Sequence, residues 1–124
     1  MVFTDTGIMT AAPYEVVDAD HWLFSGTGMR NGDRFGHESL HERIPGGASG
    51  HETDKTSPSS PPNVHVVARG LNPDNGGAEI THYDTPSGGA VFSAGSITYP
   101  SSILVDNTIS RLTANAIKHF LEGP

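Results

Sequence analysis

From Ser25 to Asn63 the chain shows neither the 3.6-residue period of a helix nor the alternation of a strand. That gap constrains the fold more than any single motif. Structureless connections beyond about 12–15 residues are uncommon inside compact domains, and they tend to be functional or disordered. Disorder goes with monotonous, highly charged composition. This stretch instead scatters His37, Glu38, His41, Glu42, His51, Glu52 and Asp54 among glycines, and closes on Ser57-Pro-Ser-Ser-Pro-Pro62, which favours extended backbone. The reading is a long Gly/Pro/His-rich functional loop over residues 25–63.

Its centre is Arg43-Ile-Pro-Gly-Gly-Ala-Ser-Gly-His-Glu-Thr-Asp-Lys55. Only Ile44 and Ala48 offer a core anything, so burial does not explain the segment. Gly46, Gly47 and Gly50 let the backbone bend tightly or approach a ligand closely, and titratable groups stand directly beside them. Within it, His51, Glu52 and Asp54 form the strongest chemical candidate. A carboxylate partly dried by a loop can be tuned as a general base or a metal ligand. Glu52 and Asp54, two apart, share a face if the backbone is extended. The plain alternative is an ion pair with Lys55.

Other motifs are weaker. His37-Glu-Ser-Leu-His41 has the H-E-x-x-H spacing that puts two zinc ligands on one helix face, but Gly36 and Pro45-Gly-Gly47 leave little room for that helix. Gly47-Ala-Ser-Gly-His51 has histidine in place of the last glycine of a nucleophile elbow, and no apolar strand leads into it. Ser49 is therefore a weak nucleophile candidate.

The remaining pattern outlines a scaffold. Tyr14–Val17, Val64–Ala68, Ala78–Tyr83 and Ala90–Ala94 read as short strands, the last two joined through Thr85-Pro-Ser-Gly-Gly89. Asp106 stands as N-cap to an amphipathic helix reaching Leu121, with Ile109, Leu112, Ala116, Ile117 and Phe120 at helical spacing. Three or four strands and one C-terminal helix make a partial open sheet, so the expectation is an α/β domain or domain fragment over residues 1–124, part of a larger layered domain, with sheet and helix in 64–121. Fifteen glycines and nine prolines agree with a loop-heavy chain. Such a piece is expected to be marginally stable alone or to associate through apolar surface.

Composition excludes several functions. A formal charge of −7 without a basic cluster disfavours nucleic acid and anionic membranes. The lack of cysteine removes disulfides, thiolate metal sites and thiol nucleophiles. No signal peptide or membrane span is legible, which makes the cytoplasm the expected location.

The series His21-Trp-Leu-Phe-Ser-Gly-Thr-Gly28, Gly32-Asp33, Phe35-Gly36, Pro45–Lys55, Gly77–Tyr83, Gly89–Tyr99 and the closing helix resembles, in that order, the C-terminal region of the N,N-dimethylformamidase large (β) subunit family. The second half also resembles the closing strands and helix of class I glutamine-amidotransferase-like domains. The first resemblance implies hydrolysis of linear amide C–N bonds at a mononuclear iron held by two tyrosinates and a glutamate. It implies an acid-base role for Glu52, and iron ligands outside this chain, since Tyr14, Tyr83 and Tyr99 do not map onto the metal site. If the loop is catalytic, its own residues His51 and Asp54 are the candidates to orient Glu52. Two functions stay open. One is an active-site loop completing an amide hydrolase together with the remainder of a large subunit or a second copy of the chain. The other is a non-catalytic module, or inactive fragment, docking on a larger subunit.

Overall fold

The computed structural model describes residues 2–4, 11–41 and 46–122. Their centre is a five-stranded sheet built from β3 (Tyr14–Val16), β4 (Arg34–Phe35), β7 (His65–Gly70), β8 (Glu79–Asp84) and β9 (Ala90–Ser93), in the order β4-β3-β7-β8-β9. Every neighbouring pair in it is antiparallel. Two small antiparallel pairs flank it: β1 (Val2–Thr4) with β6 (Thr53–Lys55), and β2 (Ala11–Ala12) with β5 (Ser49–Gly50). The helix α1 runs over Asn107–Glu122.

A sheet carrying one C-terminal helix is the expected coarse architecture, and the strands expected at 64–68, 78–83 and 90–94 lie in one sheet. The structure corrects three details. Nine strands in three sheets appear among the described residues, not three or four in one. The stretch 25–63 is not structureless, because β4, β5 and β6 lie within it. Strands of two or three residues are too short to show alternation, and their partners are remote in sequence. Phe120, expected in the core, is 45% exposed, and Ile117 is 54% exposed.

Strand β7 shows why a short apolar run can be buried in an antiparallel sheet. Val66 pairs with Thr81 and Ala68 with Ile80, leaving Val67 as a bulge. The extra residue breaks alternation, so Val67 and Ala68 are both fully buried. The Val67 carbonyl, displaced from the ladder, accepts from the Val17 and Asp18 amides at 2.8 and 3.1 Å. The β8–β9 hairpin closes through Thr85, whose amide donates to Gly89 O at 2.9 Å and whose hydroxyl accepts from Gly89 N at 3.0 Å.

Asp106 caps α1 as expected. Its Oδ1 accepts from Ile109 N at 2.9 Å, and its Oδ2 accepts from Gly36 N at 2.8 Å, which ties the helix start to the edge strand β4. The buried face carries Ile109, Leu112 and Ala116. Each of the two larger side chains contributes about 1.5–3 kcal/mol by burial. They join a core with Tyr14, Phe35 and Ile80, in which the Tyr14 and Phe35 rings stack at 5.6 Å. The helix is held laterally as well: Asn115 donates to the carbonyls of Leu23 and Ser25 at 2.8 and 2.9 Å, and Thr113 shares a 2.7 Å hydrogen bond with Tyr99. Among the described residues no helix is long and apolar enough to cross a membrane.

Candidate functional site

The described part of the glycine-rich segment, residues 46–55, lies between the N-terminal strands and the chain leaving β9. Gly46 and Gly47 sit at φ 132° and 145°. A Cβ on Gly47 would lie 2.4 Å from the Ala12 backbone, and one on Gly46 would lie 2.6 Å from Ala11 O. Glycine is thus required by close approach to β2. Arg43, Ile44 and Pro45 lie outside the described residues.

Ser49 follows, fully buried. Its hydroxyl donates to Asn72 Oδ1 at 2.8 Å and accepts from Ala78 N at 3.0 Å, while its carbonyl accepts from Asn72 Nδ2 at 3.0 Å. A hydroxyl so enclosed reaches no substrate, and Ser49 is a structural staple, not a nucleophile. The segment is then stitched to the chain after β9. Gly50 N donates to Ser96 Oγ at 2.8 Å, Ile97 N to Glu52 O at 3.3 Å, and Asp54 N to Gly95 O at 2.8 Å. Thr53 pairs with Ser96 across an antiparallel bridge and is buried.

This framework fixes the three candidates differently. His51 is left-handed at φ 66°, a conformation that costs an ordinary residue about 1–2 kcal/mol. Its Nδ1 is buried without a hydrogen-bond partner, and its ring lies 6.0 Å from that of His41. Glu52 is exposed, held through its backbone, with its amide donating to Gly50 O at 2.9 Å. Asp54 lies within β6. The turn at His51 means that the extended run on which Glu52 and Asp54 would share a face begins only at Thr53. No ion pair joins Lys55 to either carboxylate. Lys55 instead lines a cleft of about 300 Å³ with Arg69, Asn75 and Glu79.

The 37–41 segment is irregular, not helical. Leu40 N donates to Ser101 O at 2.8 Å and Ser102 Oγ to Glu38 O at 2.6 Å. The helix that H-E-x-x-H zinc binding requires is absent, and these hydrogen bonds hold the segment to residues 101–102.

The tyrosines bear on the expected iron. Tyr14 is fully buried and donates to Ala94 O at 2.8 Å, and burial pushes its pKa well up, with Tyr99 adding to the rise. Tyr99 is pushed up to about 12 by burial, against the opposing hydrogen bond from Thr113. Tyr14 and Tyr99, buried and already hydrogen-bonded to Ala94 O and to Thr113, do not fit a tyrosinate-ligated iron site.

A second cluster, not singled out from the sequence, gathers His21, Trp22, His65, His82, Asp84 and His119. His21 Nε2 lies 3.1 Å from His82 Nδ1, and His82 Nε2 lies 3.1 Å from Asp84 Oδ1. The His119 ring stacks on Trp22 at 4.1 Å and that of His65 on His82 at 5.8 Å. Burial, then His82 and His65, pushes the His21 pKa down to about 4, and burial lowers that of His82 against the pull of Asp84. The available signal was His82 and Asp84 two apart on a strand, and so on one face.

A family profile described as N,N-dimethylformamidase beta subunit-like, C-terminal, matches residues 1–111, and the chain belongs to that family. It is 29% identical over 97% of its length to an N,N-dimethylformamidase beta subunit of Paracoccus aminophilus, and 27% identical over 97% to one of an Alcaligenes species. It spans 19% of the length of each of these relatives.

Proposed function

We propose that this chain supplies an active-site loop for hydrolysis of a small linear amide, with Glu52 moving the proton, in a site completed by further segments of a larger subunit or by a second copy. The observation that carries this reading is the contrast at residues 49–54. Backbone bonds to Gly95, Ser96 and Ile97 fix the segment, and His51, left-handed at φ 66° with a buried, unpartnered Nδ1, directly precedes the exposed Glu52 in the chain. A strained backbone and an orphaned polar atom both cost stability, and such features concentrate at functional sites. In the proposed reaction Glu52 takes a proton from the attacking water as the C–O bond forms, then delivers it to the amine nitrogen as the C–N bond breaks. Amide and water become carboxylate and protonated amine. His51, whose left-handed backbone sets the turn into Glu52, and Asp54, whose amide is bonded to Gly95 O, orient Glu52 through the chain. The burial of Tyr14 and Tyr99 and their hydrogen bonds to Ala94 O and Thr113 support the reading that any iron is held by ligands outside this chain.

The test is Glu52→Gln in the full-length amidase that contains this region, which keeps shape and removes proton affinity. Loss of a general acid-base group lowers turnover by about 10²–10⁴. Near-wild-type turnover at unchanged metal content would overturn the assignment. A second reading, docking without catalysis, is favoured by Leu104 at 85% and Leu121 at 83% exposed. Under it Glu52→Gln leaves turnover intact, whereas Leu104→Asp weakens association measured by analytical ultracentrifugation.

A further inference from the structure

The histidine cluster lies where the end of α1 meets β8 and the one-turn segment Trp22–Phe24. Its hydrogen bonds determine where the protons sit. Leu23 N donates to His21 Nδ1 at 3.1 Å. A backbone amide only donates, so that nitrogen carries no proton and the neutral ring bears its hydrogen on Nε2. His21 Nε2–H therefore donates to His82 Nδ1, and His82 Nε2–H donates to Asp84 Oδ1. Asp84 Oδ1 also lies 3.9 Å from His119 Nε2. His82, Asp84 and His119 each offer one donor atom, and the three lie within 4.8 Å of one another.

We propose that His82, Asp84 and His119 bind a divalent first-row transition metal of the zinc or cobalt class. Two imidazoles and one carboxylate are a donor set that such ions take, with further positions open to water. The three donors come from two elements, and both imidazoles are steadied: His82 by burial in β8 and by His21, His119 by its stack on Trp22. Closing onto one ion at bond lengths of about 2.0–2.2 Å calls mainly for an inward shift of His119, the donor at 3.9 Å.

The relay makes the site distinguishable from adventitious surface binding. An ion on His82 Nε2 displaces the proton that Asp84 receives. His82 then carries its hydrogen on Nδ1 and donates to His21 Nε2, so His21 holds its own hydrogen on Nδ1 and releases the Leu23 amide. No net proton leaves the two rings; both change tautomer. Binding of the ion is thus read out at Leu23, on the far side of His21.

The experiment uses the full chain with zinc or cobalt as the probe. One equivalent should bind, with tetrahedral or five-coordinate cobalt absorption. His119→Gln and Asp84→Asn, both at partly or fully exposed positions, should weaken binding by more than about tenfold, and His37→Gln, an exposed loop histidine, should not. On zinc addition to the wild type, ¹⁵N imidazole shifts should report a tautomer change in His21 and His82, and Leu23 N–H exchange should quicken. Equal affinity in wild type, His119→Gln and Asp84→Asn would overturn the proposal. So would binding without any change at His21 and Leu23.

Discussion

The glycine-rich segment and the histidine cluster are both polar constellations beside the same sheet, yet they are held by opposite means. Residues 46–55 are positioned by backbone: glycines pressed against β2, amides donating to residues 95 and 96, the Glu52 carbonyl accepting from Ile97 N, and the hydroxyls of Ser49 and Thr53 enclosed beneath. The cluster is positioned by side chains, a chain of imidazole hydrogen bonds crossing from residue 21 to residue 84. A backbone-held site keeps its shape when its reactive side chain is changed. A side-chain-held site does not, because each ring sets the proton on the next.

The comparison breaks most completely at Gly47. Alanine there places a methyl 2.4 Å from the Ala12 backbone, at φ 145°. Backbone cannot yield as a side-chain tip can, so β2 and β5 should part. Gly47→Ala should cost about 3 kcal/mol or more, seen as a lower denaturant midpoint.

Alkali attacks the floor beneath the same segment. Tyr14 and Tyr99 have pKa values raised in the folded chain, chiefly by burial. Their contribution is fully present below the ordinary phenol pKa of 10.0 and falls away as pH rises toward about 12, because the unfolded chain releases these protons first. Denaturant melts across that window should show falling stability, with tyrosinate absorbance appearing together with unfolding. Free titration of both phenols in the folded state would contradict the burial argument.

Ser49→Ala sharpens the picture at smaller scale. It removes the acceptor of Ala78 N and the donor to Asn72 Oδ1, both buried. A buried group losing its partner costs about 1–3 kcal/mol. In the cluster, His21→Ala removes the cap of Leu23 and the donor to His82, and a lost cap costs about 1 kcal/mol. The Trp22–Phe24 turn should then show faster amide exchange, and β2–β5 should not.

Which parts were legible from the residues follows from the range over which each was specified. The helix is written in Ile109, Leu112 and Ala116 and in the Asp106 cap, all local. The strands β7, β8 and β9 are six, six and four residues long and joined in sequence, which makes their pattern readable. β5 and β6 pair with strands near residues 11 and 3 and bond to residues 95–96, all remote in sequence. Phe120 fits the helical period, but its turn of helix extends past the apolar core. The candidate loop was legible because glycines and titratable groups crowd a dozen positions. The cluster was not, since its members lie at 21, 65, 82, 84 and 119, and each had an ordinary local role, such as His119 in the last turn of a helix.

The smallest effect expected is the one that separates the two ways of building a site. The Glu52 side chain is exposed and accepts no hydrogen bond from the described residues; its amide and carbonyl do the holding, through Gly50 and Ile97. Glu52→Gln leaves both backbone bonds in place and removes a charge that water already solvates. Stability should therefore change by no more than about 0.5 kcal/mol, as for other surface substitutions. Thermal and denaturant melts of the variant should overlay those of the wild type, and Asp54 N and Ile97 N should keep their exchange protection. Clear destabilisation would mean that the carboxylate helps hold the segment. A loss of amide turnover in that variant would then be structural in origin and could not be assigned to proton transfer. With stability unchanged, any loss of turnover belongs to the chemistry of the carboxylate alone.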